Sequence, residues 1–178
     1  MRINSGRFKY RKLEIPESAR PTTEKVREAV FSMLIGKVEG ATVLDLFAGS
    51  GSLGLEALSR GAEFCVFNEG DRKNYKILKN NIANCKAEEI SSTYNNDFRK
   101  ALTLANREFD IIFVDPPYRE GYYSEVFELV EEYGLLADGG VIVAEHLNDN
   151  ELSDNMLSFS RTKHKRYGTI GVDFFERA

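Results

Sequence analysis

From residue 41 onward the chain alternates short apolar runs with stretches whose apolar residues recur every three or four positions. The runs are Val43 to Phe47, Phe64 to Phe67, Ile90 to Tyr94, Ile111 to Val114 and Val141 to Ala144. Between them, Leu53 to Leu58, Tyr75 to Ile82, Phe98 to Leu104 and Val126 to Tyr133 carry the spacing of amphipathic helices. This alternation predicts parallel strands joined by helical crossovers, with helices covering both faces of the sheet.

The two ends follow other patterns. Residues 2–14 read as a basic hairpin or extended arm, and Thr22 to Leu34 as a helix capped by Thr22 or Thr23 behind Pro21. Leu157 to Thr162 and Thr169 to Phe175 read as two strands of an antiparallel hairpin with its turn near Tyr167-Gly168. The class is therefore α/β, with a mostly parallel sheet of seven strands. A chain of 178 residues with 42% apolar content suffices for one well-buried core and is too short for two full domains. One domain is expected, with residues 1–40 as arm and helix and 41–178 as the core. The chain shows no internal repeat and no low-complexity segment.

Composition narrows the setting. The apolar stretches have strand length and fall well short of the roughly 20 residues that cross a bilayer. Met1 is followed by Arg2, Asn4, Ser5 and Arg7 and not by an apolar leader, so a cytoplasmic protein is expected. Cys65 and Cys85 stand twenty positions apart and read as a small core residue and a residue near a helix end. His146 and His164 are distant in sequence without a neighbouring second ligand, and no metal site is expected. Nothing implies an obligate dimer, and a monomer is expected. The net charge of −4 hides an asymmetry: residues 1–27 hold eight basic against three acidic residues, a balance of +5, and the remainder carries −9. A basic arm on an acidic body suits a nucleic-acid partner, since Lys and Arg displace counterions from phosphates; a solvated surface is the alternative.

The strongest local signal is Val43-Leu44-Asp45-Leu46-Phe47-Ala48-Gly49-Ser50-Gly51-Ser52-Leu53-Gly54, a strand, a glycine-rich turn and a helix start. Glycines let the backbone approach a ligand and leave helix N-terminal N–H groups facing it. Gly49, Gly51 and Gly54 fit the dinucleotide fingerprint, and Glu69 lies twenty residues after Gly49, where an acid accepts hydrogen bonds from ribose hydroxyls. A tight turn needs glycine without any ligand, but strand, turn, helix and acid together favour a nucleoside site. Downstream, Ile111 to Val114 runs into Asp115-Pro116-Pro117-Tyr118. Prolines can merely end a strand. That reading leaves unexplained an acid and a tyrosine bracketing them at the carboxyl end of a central strand, where open α/β sheets bind ligands.

The tetrad at 115–118, with Asp45 to Gly51 upstream, resembles the amino-methyltransferases of the S-adenosylmethionine superfamily, which have a Rossmann-like fold. Ser5-Gly6-Arg7 with Arg11-Lys12-Leu13, Arg20-Pro21-Thr22-Thr23 with Val26-Arg27-Glu28, and Lys165-Arg166-Tyr167-Gly168 narrow the resemblance to the RsmD family of 16S rRNA guanine-N2 methyltransferases over nearly the whole chain. Three positions depart from that family's pattern: Asn4 stands for an aliphatic residue, Tyr10 for a glycine, and Asn68 for an apolar residue ahead of Glu69.

The resemblance implies S-adenosylmethionine as cofactor and 16S ribosomal RNA, or the small ribosomal subunit, as partner. It implies that Asp115 and the Pro116 carbonyl accept hydrogen bonds from the target amine beside Pro117, with Tyr118 stacked on the base. Asp45 and the turn Gly49-Ser50-Gly51 would hold the methionine portion, Glu69 the ribose, and Asp97 the adenine amine with Phe98 beside the ring, and Phe47 would be a further cofactor contact. Asp97 in its Asn-Asn-Asp cluster also suits a helix cap. Arg20 and Thr22 would line the active site, and Arg7, Lys9, Arg11 and Lys12 would meet RNA. Three other readings remain at this point: a methyltransferase for an amine of another RNA or DNA base, an NAD-dependent oxidoreductase using the same glycines and Glu69, and a noncatalytic RNA-binding factor.

Overall fold

In the fourth strand of the sheet, alternate residues part to opposite sides: Ile111 and Phe113 join one buried cluster, Ile112 and Val114 another. This is the period-2 alternation of a strand covered on both faces. The computed structural model describes residues 1–17, 23–117, 121–149 and 151–178. Its strands are β1 (Thr42–Asp45), β2 (Phe64–Asn68), β3 (Ser91–Tyr94), β4 (Phe109–Val114), β5 (Leu136–Leu147), β6 (Asn155–Met156), β7 (Phe159–Tyr167) and β8 (Ile170–Arg177). The helices are α1 (Glu24–Met33), α2 (Ser52–Ser59), α3 (Arg72–Asn84), α4 (Phe98–Leu104) and α5 (Tyr123–Glu132).

The strands form one sheet in the order β3-β2-β1-β4-β5-β8-β7-β6. The first five run parallel, and β8, β7 and β6 pair antiparallel. Residues of α1, α2 and α3 pack in one cluster and those of α4 and α5 in the other, so helices cover both faces. Among the described residues no helix is long and apolar enough to cross a membrane.

The elements expected from the pattern are present with shifted ends. The seven expected strands gain a two-residue eighth, β6, because Leu157 takes a positive φ of 57° and turns the chain into β7 instead of starting a strand there. Ile90 closes a short 3-10 turn ahead of β3. Asp71 accepts a hydrogen bond from Asn74 N at 2.9 Å and starts α3 before the apolar repeat begins. Thr23 caps α1 by accepting from Val26 N, while Thr22 lies outside the described residues. Beyond Ser160, β7 has no strand neighbour on its outer side among the described residues, and Lys163, Lys165 and Arg166 are exposed along it.

The basic arm is a tight hairpin. Ile3 N donates to Arg11 O at 3.0 Å, Tyr10 N to Ile3 O at 3.0 Å, and Leu13 N to Met1 O at 2.8 Å. Its apolar residues Ile3, Phe8 and Leu13 are buried against the body, leaving Arg7, Lys9 and Lys12 exposed. Tyr10 has φ 73°, a left-handed conformation in which glycine, the residue the resemblance implies here, is at ease. Gly6 touches α2 so closely that a Cβ there would stand 1.8 Å from the Ser59 carbonyl oxygen.

A buried carboxylate fixes the arm. Glu56 of α2 accepts hydrogen bonds from Asn4 N at 2.8 Å, Ser5 N at 3.1 Å and Arg60 Nε at 2.8 Å, and Arg27 Nε of α1 lies 3.5 Å away. The side chains of Arg27 and Glu56 are both fully buried, and burial pulls the Arg27 guanidinium below its usual range while Glu56 opposes that shift. Asn4, the departure from an aliphatic residue, accepts from Arg27 at 3.1 Å. Removing one partner of such a pair strands a buried charge, which costs about 3–5 kcal/mol. Glu56→Ala is therefore expected to lower unfolding free energy by about that amount in urea titration, and to make the peptide bonds of residues 1–13 more sensitive to protease. A loss below about 1 kcal/mol would mean that the pair behaves as a surface one.

Candidate active site

In a parallel sheet all carboxyl ends meet one edge, and here four adjacent strands each deliver an acid to it. In spatial order along β3, β2, β1 and β4, these are Asp97, Glu69, Asp45 and Asp115. Asp45 is the last residue of β1 and pairs in register with Phe67 and Phe113; Glu69 and Asp115 follow within two positions of those partners.

The glycine turn leaves β1 with Gly49 at φ 55° and Gly51 at φ 84°, conformations that β-carbons disfavour. Gly51 N donates to Ala48 O at 2.8 Å, and Gly54 N donates to Asp45 Oδ2 at 3.0 Å, so Asp45 anchors the first turn of α2. Gly54 is dictated by packing, because a Cβ would stand 2.3 Å from the Phe67 ring. At Gly51 that direction is filled by Leu78, whereas at Gly49 no atom lies within 4 Å of it, which leaves the turn open to a ligand.

Electrostatics sharpen the edge. Burial pushes the Asp45 carboxyl up to about 7; the Gly54 N–H opposes this, and the charge of Glu69 adds to it. Burial also raises Glu69, against hydrogen bonds from Asp71 N and Gly49 N, each at 2.8 Å. A cation at this edge relieves both carboxyls, so the residues present fit a cofactor carrying sulfonium and ammonium charge. Asn68 stitches the same edge: its amide donates to Leu46 O at 3.4 Å and Asn96 O at 2.9 Å and accepts from Asn96 N at 3.2 Å. Asn68, a departure from the apolar residue that the resemblance implies, thus joins β1, β2 and the loop after β3 through its amide.

Asp97 does serve as a cap, accepting from Arg99 N at 2.9 Å and pairing with the Arg99 guanidinium at 3.2 Å. The Phe98 ring packs at 5.3 Å from Phe47 and 4.7 Å from Tyr122, and Tyr122 stacks on Phe47 at 6.2 Å. The three rings offer an aromatic wall beside Asp97. Tyr122 escaped the sequence reading; its position just past the tetrad was the available signal. Behind the tetrad, buried Tyr123 donates its hydroxyl to the Glu145 carbonyl, and burial together with the charges of Asp115 and Glu145 drives its phenol far above the usual range. Pro116 is buried and Pro117 exposed. Tyr118, Arg20 and Thr22 lie outside the described residues. Of the basic residues, the Arg7 and Arg11 guanidinium groups stand 4.9 and 6.0 Å from the Phe8 ring centre, and Lys9 is 5.0 Å from that of Tyr10. Arg11 also donates to the Asn84 carbonyl.

The two histidines are not isolated as their spacing suggested. His146 on β5 and His164 on β7 flank Asp173 on β8, with His146 Nε2 at 2.8 Å from Asp173 Oδ2 and His164 Nδ1 on the other oxygen. The His146 ring fits over Gly171, where a Cβ would be 2.6 Å from it, and its Nδ1 faces Leu147 O at 2.8 Å. Both His146 nitrogens thus face acceptors, a pattern that favours the imidazolium and explains why hydrogen bonding raises His146 against the opposing effect of burial. Arg161 is 3.4 Å from the same carboxylate, so the three donors surround one acid as a charge network that ties the antiparallel strands together.

The family described as Conserved hypothetical protein 95 matches residues 1–176. The Bacillus subtilis protein YlbH is 41% identical over 99% of each chain. Ribosomal RNA small subunit methyltransferase D of Escherichia coli K12 is 37% identical over 99% of this chain and 90% of its own. The solved structure of Escherichia coli YhhF superposes with a TM-score of 0.90 at 36% identity, covering 99% and 97% of the two chains. A likeness of this extent, spanning the arm, the glycine turn and the strand that leads into Asp115, makes this chain a member of the RsmD family, to which the Escherichia coli small subunit methyltransferase D belongs.

Proposed function

We propose that this protein transfers a methyl group to the exocyclic N2 amine of a guanine in 16S ribosomal RNA. Methylation of ribosomal RNA with S-adenosylmethionine is the activity of its family, and the nicotinamide reading falls with that assignment. The observation that carries the finer reading is the acid row at the carboxyl edge of the sheet, ending in Asp115-Pro116-Pro117 at the strand beside Asp45.

An exocyclic amine is a poor nucleophile because its lone pair is delocalised into the ring, so catalysis lies in positioning it. Asp115 and the Pro116 carbonyl accept the two amine hydrogens and turn the lone pair out of the base plane. Neither proline has an N–H, so this stretch presents acceptors to the amine and no competing donor. S-adenosylmethionine supplies, when bound, a methyl group made electrophilic by the sulfonium. Asp45 and the turn at Gly49 hold its charged end, Glu69 the ribose, and Asp97 with Phe47 and Phe98 the adenine. Tyr118 stacks on the target base, using the π face that every base offers. Arg20 and Thr22 complete the lining, and Arg7, Lys9, Arg11 and Lys12 meet RNA phosphates. Strong base catalysis is not needed, because the methylated ammonium is acidic and releases its proton readily.

Labelled methyl transfer to small subunits from a strain lacking the endogenous enzyme, followed by nucleoside analysis, is expected to yield N2-methylguanosine; label on another nucleoside would refute the guanine assignment. Asp115→Ala should cut transfer by at least about a hundredfold, the usual cost of one oriented polar group in a closed site, with S-adenosylhomocysteine affinity unchanged. Asp45 generates a pH prediction. Its carboxyl, near neutrality when the site is empty, must ionise to meet a cation, so affinity for S-adenosylmethionine should rise with pH, by about tenfold from pH 6 to pH 8. Asp45→Asn should flatten that slope in calorimetry; an equally steep slope in the variant would assign the proton to another group.

A further inference from the structure

Asn81 of α3 is 3% exposed, and its amide is occupied on every side. Nδ2 donates to the Glu14 carbonyl at 2.9 Å and to the Ser50 carbonyl at 2.8 Å, while Oδ1 accepts from Glu14 N at 2.8 Å. One side chain therefore grips the backbone where the basic arm ends and the backbone in the middle of the glycine turn.

The Ser50 end of this bridge is the sensitive one. Ser50 is flanked by Gly49 and Gly51, both at positive φ, so the peptide plane between Ser50 and Gly51 can rotate at low cost unless something holds it. Gly51 N is held by Ala48 O at 2.8 Å, and the opposite side of that plane, the Ser50 carbonyl, is held by Asn81. The Glu14 end is doubly bound, so a shift of the arm pulls directly on the amide. The neighbouring contact, Asn84 Nδ2 to Lys12 O at 3.0 Å, ties the arm to the same helix without reaching the turn.

We infer that Asn81 is a positioning residue that couples RNA docking on the arm to the geometry of the cofactor turn, so that each ligand tightens the other. This rests on the reading of the arm as an RNA surface. Binding linkage is reciprocal, so the factor by which RNA raises cofactor affinity equals the factor by which cofactor raises RNA affinity.

The test uses the full chain, labelled S-adenosylhomocysteine in equilibrium dialysis with and without saturating small ribosomal subunits, and filter binding of subunits with and without S-adenosylhomocysteine. The wild type should show the same tightening in both directions, at least about fivefold. Asn81→Ala should reduce that factor below about twofold and weaken S-adenosylhomocysteine alone several-fold. Glu14→Pro removes the N–H that Asn81 accepts and should uncouple likewise; it decides the matter if Asn81→Ala does not fold. Asn84→Ala should keep the wild-type factor. Independent binding in the wild type, full coupling in both bridge variants, or equal uncoupling by Asn84→Ala would each overturn the inference. Subunits that fail to bind the wild type in the filter assay would instead remove the RNA reading of the arm, and the coupling with it.

Discussion

The buried Glu56 carboxylate is the contact on which the arrangement of arm, helices and glycine turn depends. It sits in the second turn of α2, which starts directly after Gly51, so its position is set by the same glycine turn that leaves β1. From there it accepts N–H groups of Asn4 and Ser5 and opposes Arg27 of α1. A charge without solvent must be surrounded by donors. The arm supplies two of them as backbone N–H groups, which is why a segment rich in Lys and Arg lies folded on the body. Ser59, one turn later, adds a third attachment by accepting from Phe8 N at 2.9 Å.

The site itself follows from sheet geometry. Parallel strands bring four acids to one edge although the nearest pair in sequence, Asp97 and Asp115, is eighteen positions apart. Burial raises both Asp45 and Glu69, with the charge of Glu69 adding to the shift of Asp45, and a cationic ligand favours the charged forms. Asn68 adds rigidity without charge, since an amide can donate to two carbonyls and accept from one N–H, which an apolar residue cannot do.

Much of this was legible in the chain because it is local. The alternation of apolar runs and helical periods marked every long element, and the glycine turn and the tetrad each occupy a dozen residues or fewer. The order of the acids was implied by the strand pattern. What stayed hidden depends on register and on backbone shape. His146 and His164 meet Asp173 only because β5 and β7 both pair with β8, so separation in sequence concealed a contact across the sheet. The left-handed turn at Leu157 broke a run that periodicity reads as continuous strand. Asp97 looked like ligand or cap, and its hydrogen bond to Arg99 N shows the cap. Asn81 carried no signal, because a buried amide gripping two distant backbones resembles any other asparagine near a helix end.

The outer side of β7 bears on how the protein behaves in a crowd. Past Ser160 its backbone faces no partner strand among the described residues, which in a flat apolar strand would recruit a second molecule and seed fibrous stacking. Lys163, Lys165 and Arg166 stand exposed along this border, and two copies brought border to border would set cation against cation. Like charges along an exposed strand border oppose pairing of that border with a copy of itself, and here Lys163 is also turned to the Met33 carbonyl at 3.1 Å.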